Sequence, residues 1–196
     1  MSEIDYDEIS FAPDGTALSI FAHPRQSSLF ALRHEDPVVA MAGPKIESRK
    51  AMDIAYIEHI GPYDKVPWER YMEQLYGWAK EQRVMPGFYP MAIYTNKPET
   101  TPPSELRSMI AISFKGNAKE MGDIRIQKLP EMKVATISHK GPSSEFKKTY
   151  SVLSEFIEKK GYSCSGSPIE VYSKKPEMKD GVTIIYAKVM IPITKK

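Results

Sequence analysis

The sequence predicts an α+β fold. A duplicated strand–helix–strand–strand repeat is expected to form one pseudo-twofold antiparallel sheet, with helices on one face and a cleft between the repeats. Three observations predict it. First, "MDIAYIEHIGP" (52–62) and "MKVATISHKGP" (132–142) share six of eleven positions, and "PMAIYTNKPE" (90–99) and "PIEVYSKKPE" (168–177) share five of ten. Two matching blocks in the same order, offset by 80 and 78 residues, describe an internal duplication. Second, short runs alternate between apolar and polar residues, the period of a strand. Third, apolar residues after each first block recur at steps of three and four, the period of a helix.

The elements follow in order. Ile54, Tyr56 and Glu58 alternate with Ala55, Ile57 and His59 in the first strand, and Gly61-Pro62 and Gly141-Pro142 end the two equivalent strands. Pro67 suits the start of the first helix, where Tyr71, Leu75, Trp78 and Ala79 share a face. Ser143 or Ser144 is expected to cap the second helix, whose stripe is Phe146, Tyr150, Leu153, Phe156 and Ile157; Gly161 stops it. Two strands then close each copy, near 89–95 and 107–114 and near 168–173 and 183–193. The repeats are placed at 45–115 and 124–194 within a domain spanning 45–196. Residues 1–44 read as an N-terminal extension of short strands behind an acidic start. They would add to a sheet edge, cap the cleft or make a dimer contact.

Composition excludes several classes. The 196 residues carry a net charge of +2, too little to point to nucleic acid. Residues 1–44 hold two basic residues against seven acids, which marks a compositional boundary. No apolar run approaches the roughly twenty residues of a membrane span. The start lacks the basic and then apolar pattern of a secretory signal, and a single Cys164 excludes an internal disulfide, so a cytoplasmic protein is expected. The four histidines are too scattered for a zinc spacing, and no phosphate-cradling glycine loop or Gly-x-Ser-x-Gly elbow occurs. His59 and His139 recur beside the Gly-Pro turns, which points to a structural task such as bonding a turn carbonyl.

"IIYAKVMIPI" (184–193) is the stretch that poses a chemical question, because it sets a lysine among aliphatic residues. Alternation sends Ile185, Ala187, Val189 and Ile191 toward the helices, with Ile169 and Val171 from the strand before. Ile184, Tyr186, Lys188 and Met190 then share the other face with Glu170 and Tyr172. Lys188 would bind an anionic group of a ligand there, pair with Glu170, or extend to solvent. Tyr56, Trp68, Tyr71, Tyr94, Tyr172 and Tyr186 could line a cleft, since tyrosine joins a flat apolar body to a polar tip.

"AYIEHIGPY", an aromatic-bearing helix and "AIYTNKPETTPPSELRS", repeated as "ATISHKGP" and "EVYSKKPE" and closed by "AKVMIPI", resemble the GyrI-like small-molecule-binding domain. That domain also forms the effector-binding part of AraC- and MerR-type regulators. The resemblance covers about residues 45–193. It implies two helix-plus-sheet repeats around a ligand cleft. It further implies binding of amphipathic or cationic drugs, gyrase inhibition, or hydrolysis of cyclopropane-bearing toxins. The family's usual last-strand glutamate falls at Lys188, and an often acidic position of the first repeat falls at Met109. Both departures weaken the cationic-drug and hydrolase implications.

The expectation is a stand-alone protein that binds or senses an aromatic or amphipathic, drug- or xenobiotic-like compound. Ligand contacts are expected from Tyr56, Trp68, Tyr71, Tyr94, Met109, Glu170, Tyr172, Tyr186 and Lys188. The alternatives are a hydrolase of reactive xenobiotics using cleft tyrosines and a protein-binding inhibitor of the gyrase type. No cofactor, metal, membrane or direct nucleic-acid contact is expected. A homodimer or protein partner is left open.

Overall fold

The computed structural model describes residues 43–196. In chain order they form β1 (Lys45–Arg49), β2 (Met52–Ile60), α1 (Trp68–Glu81), β3 (Met85–Pro86), β4 (Met91–Tyr94), β5 (Arg107–Lys115), β6 (Arg125–Leu129), β7 (Met132–Gly141), α2 (Phe146–Lys159), β8 (Tyr162–Cys164), β9 (Ile169–Lys179) and β10 (Val182–Lys195). The reading of residues 1–44 lies, but for Gly43 and Pro44, outside the described residues. None of the described helices is long and apolar enough to cross a membrane.

The strands make one ten-stranded sheet in the order β1-β7-β10-β9-β4-β5-β2-β6, with β3 beside β5 and β8 beside β10. Every named pairing is antiparallel. The order reads alike from either edge. The short strand that leads each half lies against the long strand of the other half. Thus β1 pairs with β7 from Lys45↔Thr136 to Arg49↔Met132, and β6 pairs with β2 from Met52↔Leu129 to Tyr56↔Arg125.

The middle of the sheet is the seam between β4 and β9, where Met91, Ala92 and Ile93 face Val171, Glu170 and Ile169. Its ends close reciprocally. The Tyr94 amide donates to Pro168 O at 3.1 Å, and the Tyr172 amide donates to Pro90 O at 3.0 Å.

Both helices cover the same face in the way their stripes require. In α1, Met72, Leu75, Trp78 and Ala79 are buried against Ala55, Ile57, Ala92, Ile110 and Ile112. In α2, Leu153 and Ile157 are buried against Ala135, Val189, Ile191 and Ile193. Gly161 ends α2 in the left-handed region, at φ +75°, and its amide donates to Glu158 O at 2.9 Å. A third apolar cluster contains no helical residue and occupies the opposite face, with Ile54, Met91, Ile93, Val134, Ile169 and Met190 at its centre.

Several expectations are corrected. Ser143 and Ser144 lie in a 3-10 turn ahead of α2, whose N-cap is Glu145 with no side-chain cap bond. β9 runs well past the expected 168–173, β10 exceeds 183–193 by only one residue at its start and two at its end, and β4 is shorter than 89–95. β1, β3, β6 and β8 were not expected as strands; each is short, and β1 and β6 carry little alternation.

The faces of β9 are also exchanged. Across the β9–β10 ladder Val189 faces Glu170 and Ala187 faces Tyr172, whereas Lys188 faces Val171 and Met190 faces Ile169. Directly opposed residues share a face. Glu170 and Tyr172 therefore lie on the helix side with Val189, and Ile169 and Val171 lie on the other side with Lys188. Lys188 cannot pair with Glu170.

Candidate functional site

The seam carries an acidic residue under the helices. Glu170 sits in β9 opposite Ala92, only 5% exposed. Its carboxylate is bonded by tyrosines from three elements. Tyr150, from the helix stripe of α2, donates to Oε1 at 2.8 Å, and Tyr172, two residues along β9, donates to Oε2 at 2.8 Å. Tyr94 of β4 lies 3.3 Å from Oε2 and 3.0 Å from the Tyr172 hydroxyl. Strand period explains the grouping, because Ala92, Tyr94, Glu170 and Tyr172 alternate onto one face of two paired strands.

Aromatic rings wall this acid. Trp68, at the start of α1, meets Tyr172 edge-on at 4.9 Å, and Tyr63 tilts against Tyr94 at 4.6 Å. The Tyr63 hydroxyl is held by the carbonyls of Asn96 at 2.9 Å and Arg107 at 3.1 Å. The rings of Trp68, Tyr94, Tyr150 and Tyr172 are half-buried, so they are neither core nor free surface.

Electrostatics make the group unusual. None of the ion pairs among the described residues includes Glu170. Burial pushes its carboxyl above the ordinary range, against the pull of the Tyr172, Tyr150 and Tyr94 hydroxyls. Burial, reinforced by the charge of Glu170, pushes the phenols of Tyr94, Tyr150 and Tyr172 upward, so all three stay protonated donors. The result is a buried carboxyl with neutral hydrogen-bonding partners, walled by aromatic rings. Such a group can attract a cation or hold and release a proton.

The two histidines sit at the Gly-Pro turns that follow β2 and β7. His59 Nε2 lies 3.3 Å from Pro62 O, and His139 Nε2 lies 3.3 Å from Gly141 O. Both therefore meet a carbonyl of the Gly-Pro turn. Their Nδ1 atoms meet hydroxyls of the helix that follows, Tyr71 at 3.4 Å and Thr149 at 2.8 Å. Burial holds His139 below its ordinary value and so neutral.

A profile of the GyrI-like small molecule binding domain matches residues 43–194. The chain belongs to this family. Among solved structures, the EcmrR C-terminal domain is 17% identical with a TM-score of 0.65, over 78% of this chain and 98% of that one. EcmrR in a complex with DNA is 18% identical with a TM-score of 0.60, and the match spans 57% of that longer chain. A hydrolase from Listeria innocua is 12% identical with a TM-score of 0.61, over 82% and 96% of the two chains. At these identities the likeness is one of fold. None of the curated proteins matches this sequence.

In this GyrI-like chain the residues singled out from sequence separate into groups. Trp68, Tyr94, Glu170 and Tyr172 come together at the seam. Tyr71 packs beside them on α1 but turns its ring edge-on to His59. Tyr56 and Met109 lie on the opposite face, packed on the apolar cluster there. Tyr186 donates to Glu177 at 2.8 Å on the β9–β10 hairpin, between Lys140 and Lys174. Lys188 bonds Glu47 of β1, which also holds Lys45 at 3.0 Å. The Lys188 hydrogen bond is the main reason the Glu47 carboxyl lies below its ordinary range.

Sequence reasoning missed Tyr150, Tyr63, Glu47 and Arg49 as site residues. The signal for Tyr150 was present: it is the polar-tipped residue of an otherwise apolar helix stripe. Tyr63 follows the first Gly-Pro turn directly. Glu47 and Arg49 gave no signal, because β1 itself was not expected.

Proposed function

We propose that the two halves are copies of one unit and that the cleft between α1 and α2 receives an aromatic or amphipathic organic cation over Glu170. The matched sequence blocks, the palindromic strand order and the reciprocal Tyr94 and Tyr172 bonds support the first part. One observation carries the second: among the described residues the buried Glu170 carboxyl has no cationic partner, yet it is surrounded by partly buried tyrosine and tryptophan rings. An aromatic cation satisfies both features, gaining charge attraction from Glu170 and ring contact from Trp68, Tyr94 and Tyr172. This restores the cationic reading that Lys188 had weakened, because the acid is supplied by β9 rather than by the last strand.

The test uses tetraphenylphosphonium, titrated by calorimetry against the full chain. Saturable binding is expected, weakened tenfold or more by Glu170→Gln. The raised carboxyl adds a sign. The cation binds the ionised form, so affinity rises with pH through the raised pKa and protons are released on binding. The variant loses both effects. Binding that is equal in the variant and flat with pH overturns the reading.

The same raised carboxyl favours a second reading, a hydrolase in which Glu170 activates water beside the tyrosines. It predicts product from an electrophilic xenobiotic, with a rate reduced by Tyr172→Phe and abolished by Glu170→Gln. Saturable binding with no product decides against it.

A further inference from the structure

The face of the sheet away from the helices carries a hollow of about 390 Å³ that no part of the cleft argument uses. Its volume lies within the ordinary range for a small-molecule site, roughly 300–1,000 Å³. Met52, Met91 and Met190 give it an apolar floor, and Arg49 and Lys188 give it positive charge. Phe88 and Tyr89 stand at its rim, 70% and 43% exposed. Gly87 makes that rim possible. Its amide donates to Ser113 O at 2.6 Å, and a Cβ there would fall 2.1 Å from Ser113 Oγ. A larger residue here would have to turn the Ser113 hydroxyl aside, so glycine eases this close approach before the chain turns out into Phe88 and Tyr89.

Arg49 is the decisive residue. It is only 9% exposed, and among the described residues its buried Nη1 has no hydrogen-bond partner. Its Nη2 meets the Met52 sulfur, a weak acceptor. The carboxylate two residues earlier on the same strand, Glu47, is already engaged by Lys45 and Lys188. A buried guanidinium without a carboxylate is costly to the folded protein, which asks what else it holds. Burial also pulls its pKa below the ordinary value. Among the described residues, two lysines already satisfy the one acid and Arg49 adds a further positive charge to the same lining.

We infer that the hollow is a second ligand site, distinct from the Glu170 cleft, and that it takes an aromatic carboxylate. The carboxylate accepts from Arg49, with Lys188 beside it, and the ring lies on the methionine floor under Phe88 and Tyr89. A guanidinium presents paired donors that match the two oxygens of a carboxylate, and the apolar walls fit a flat hydrocarbon body. A lysine that the sequence offers as an anion contact thus has its place here, as a secondary contact to the arginine.

The probe is 2-naphthoate, with 2-naphthamide as its neutral counterpart, titrated by fluorescence against the full chain. Saturable naphthoate binding is expected, at least tenfold tighter than the amide. Arg49→Met removes that preference and, without ligand, raises the melting temperature, because an unpaired buried charge is lost. Lys188→Met weakens naphthoate binding by a smaller factor. Phe88→Ala, at an exposed position that leaves folding alone, weakens naphthoate and naphthamide alike. Glu170→Gln leaves naphthoate binding as it is, which separates this site from the cleft. The inference is overturned if naphthoate does not saturate the wild type. It is equally overturned if naphthoate and naphthamide bind alike, or if binding follows Glu170 rather than Arg49 and Phe88.

Discussion

A single carboxyl shows how far a residue can be read without its register. Glu170 and Tyr172 are both legible as candidates, since a strand that carries them among aliphatic neighbours invites attention. Their face is not legible. Moving the β9–β10 register by one residue exchanges every side chain between the two sides, and alternation alone gives no origin for the count. Only the observed pairs, Val189 with Glu170 and Lys188 with Val171, set it. The consequence can be measured. The folded pKa of Glu170 lies above its unfolded value of roughly 4.3, so its contribution to stability is full below that value. The contribution is lost as pH rises through the folded pKa. Glutamine keeps an acceptor for the tyrosine hydroxyls and never ionises. Glu170→Gln is therefore expected to be near neutral in acid and to become progressively more stabilising, relative to the wild type, as pH rises. Thermal melts of both proteins across pH should diverge upward; parallel curves would mean that the carboxyl is not desolvated.

At the scale of elements, periodicity served the helices better than the strands. Both helix stripes were visible because each spans several turns and buries Leu75 or Leu153 at its centre. Strand lengths are less legible from alternation, and at the end of β9 they are set by a turn near residue 180. Val182 faces Lys179, so Asp180 and Gly181 form a two-residue hairpin loop. Their φ angles are +49° and +76°. Two consecutive positive φ values are the type I′ turn, which Asp-Gly favours and whose twist matches that of paired strands. This turn, rather than the breaks expected at 173 and 183, carries β9 and β10 outward together. Gly181→Ala is expected to cost about 1–2 kcal/mol, the penalty of a Cβ in the left-handed region. Gly122, at φ +57°, lies in the connection between β5 and β6 with open space around its Cβ direction. Gly122→Ala there should also cost stability but leave Tyr186 fluorescence unchanged, whereas Gly181→Ala should perturb the Tyr186–Glu177 bond in the same hairpin. Urea midpoints and tyrosine emission together distinguish the two.

For the whole molecule, the question is whether two similar halves behave as one folding unit. Two pairs of matching blocks were legible in the sequence, but the interlock was not, because β1 and β6 fall outside those blocks. Each of these strands forms five pairs with the long strand of the opposite half. The β4–β9 seam adds three more, with reciprocal amide bonds at its ends. Separating the halves would therefore expose two strand edges and the seam together, and would uncover Glu170 and its tyrosines. Such a structure should unfold in one cooperative step. The two tryptophans make this testable, since Trp68 and Trp78 both lie in α1. Trp78 is buried deep in the first half, edge-on to Phe114 at 5.2 Å. Leu153 is fully buried in the second half, under α2. Leu153→Ala should cost about 2–5 kcal/mol by cavity formation. If the interlock couples the halves, the tryptophan emission of the first half must shift its urea midpoint by the same amount as circular dichroism of the whole. A tryptophan transition that stays in place while the dichroism splits into two steps would show that the halves fold independently and that the seam, with its buried acid, is held by neither.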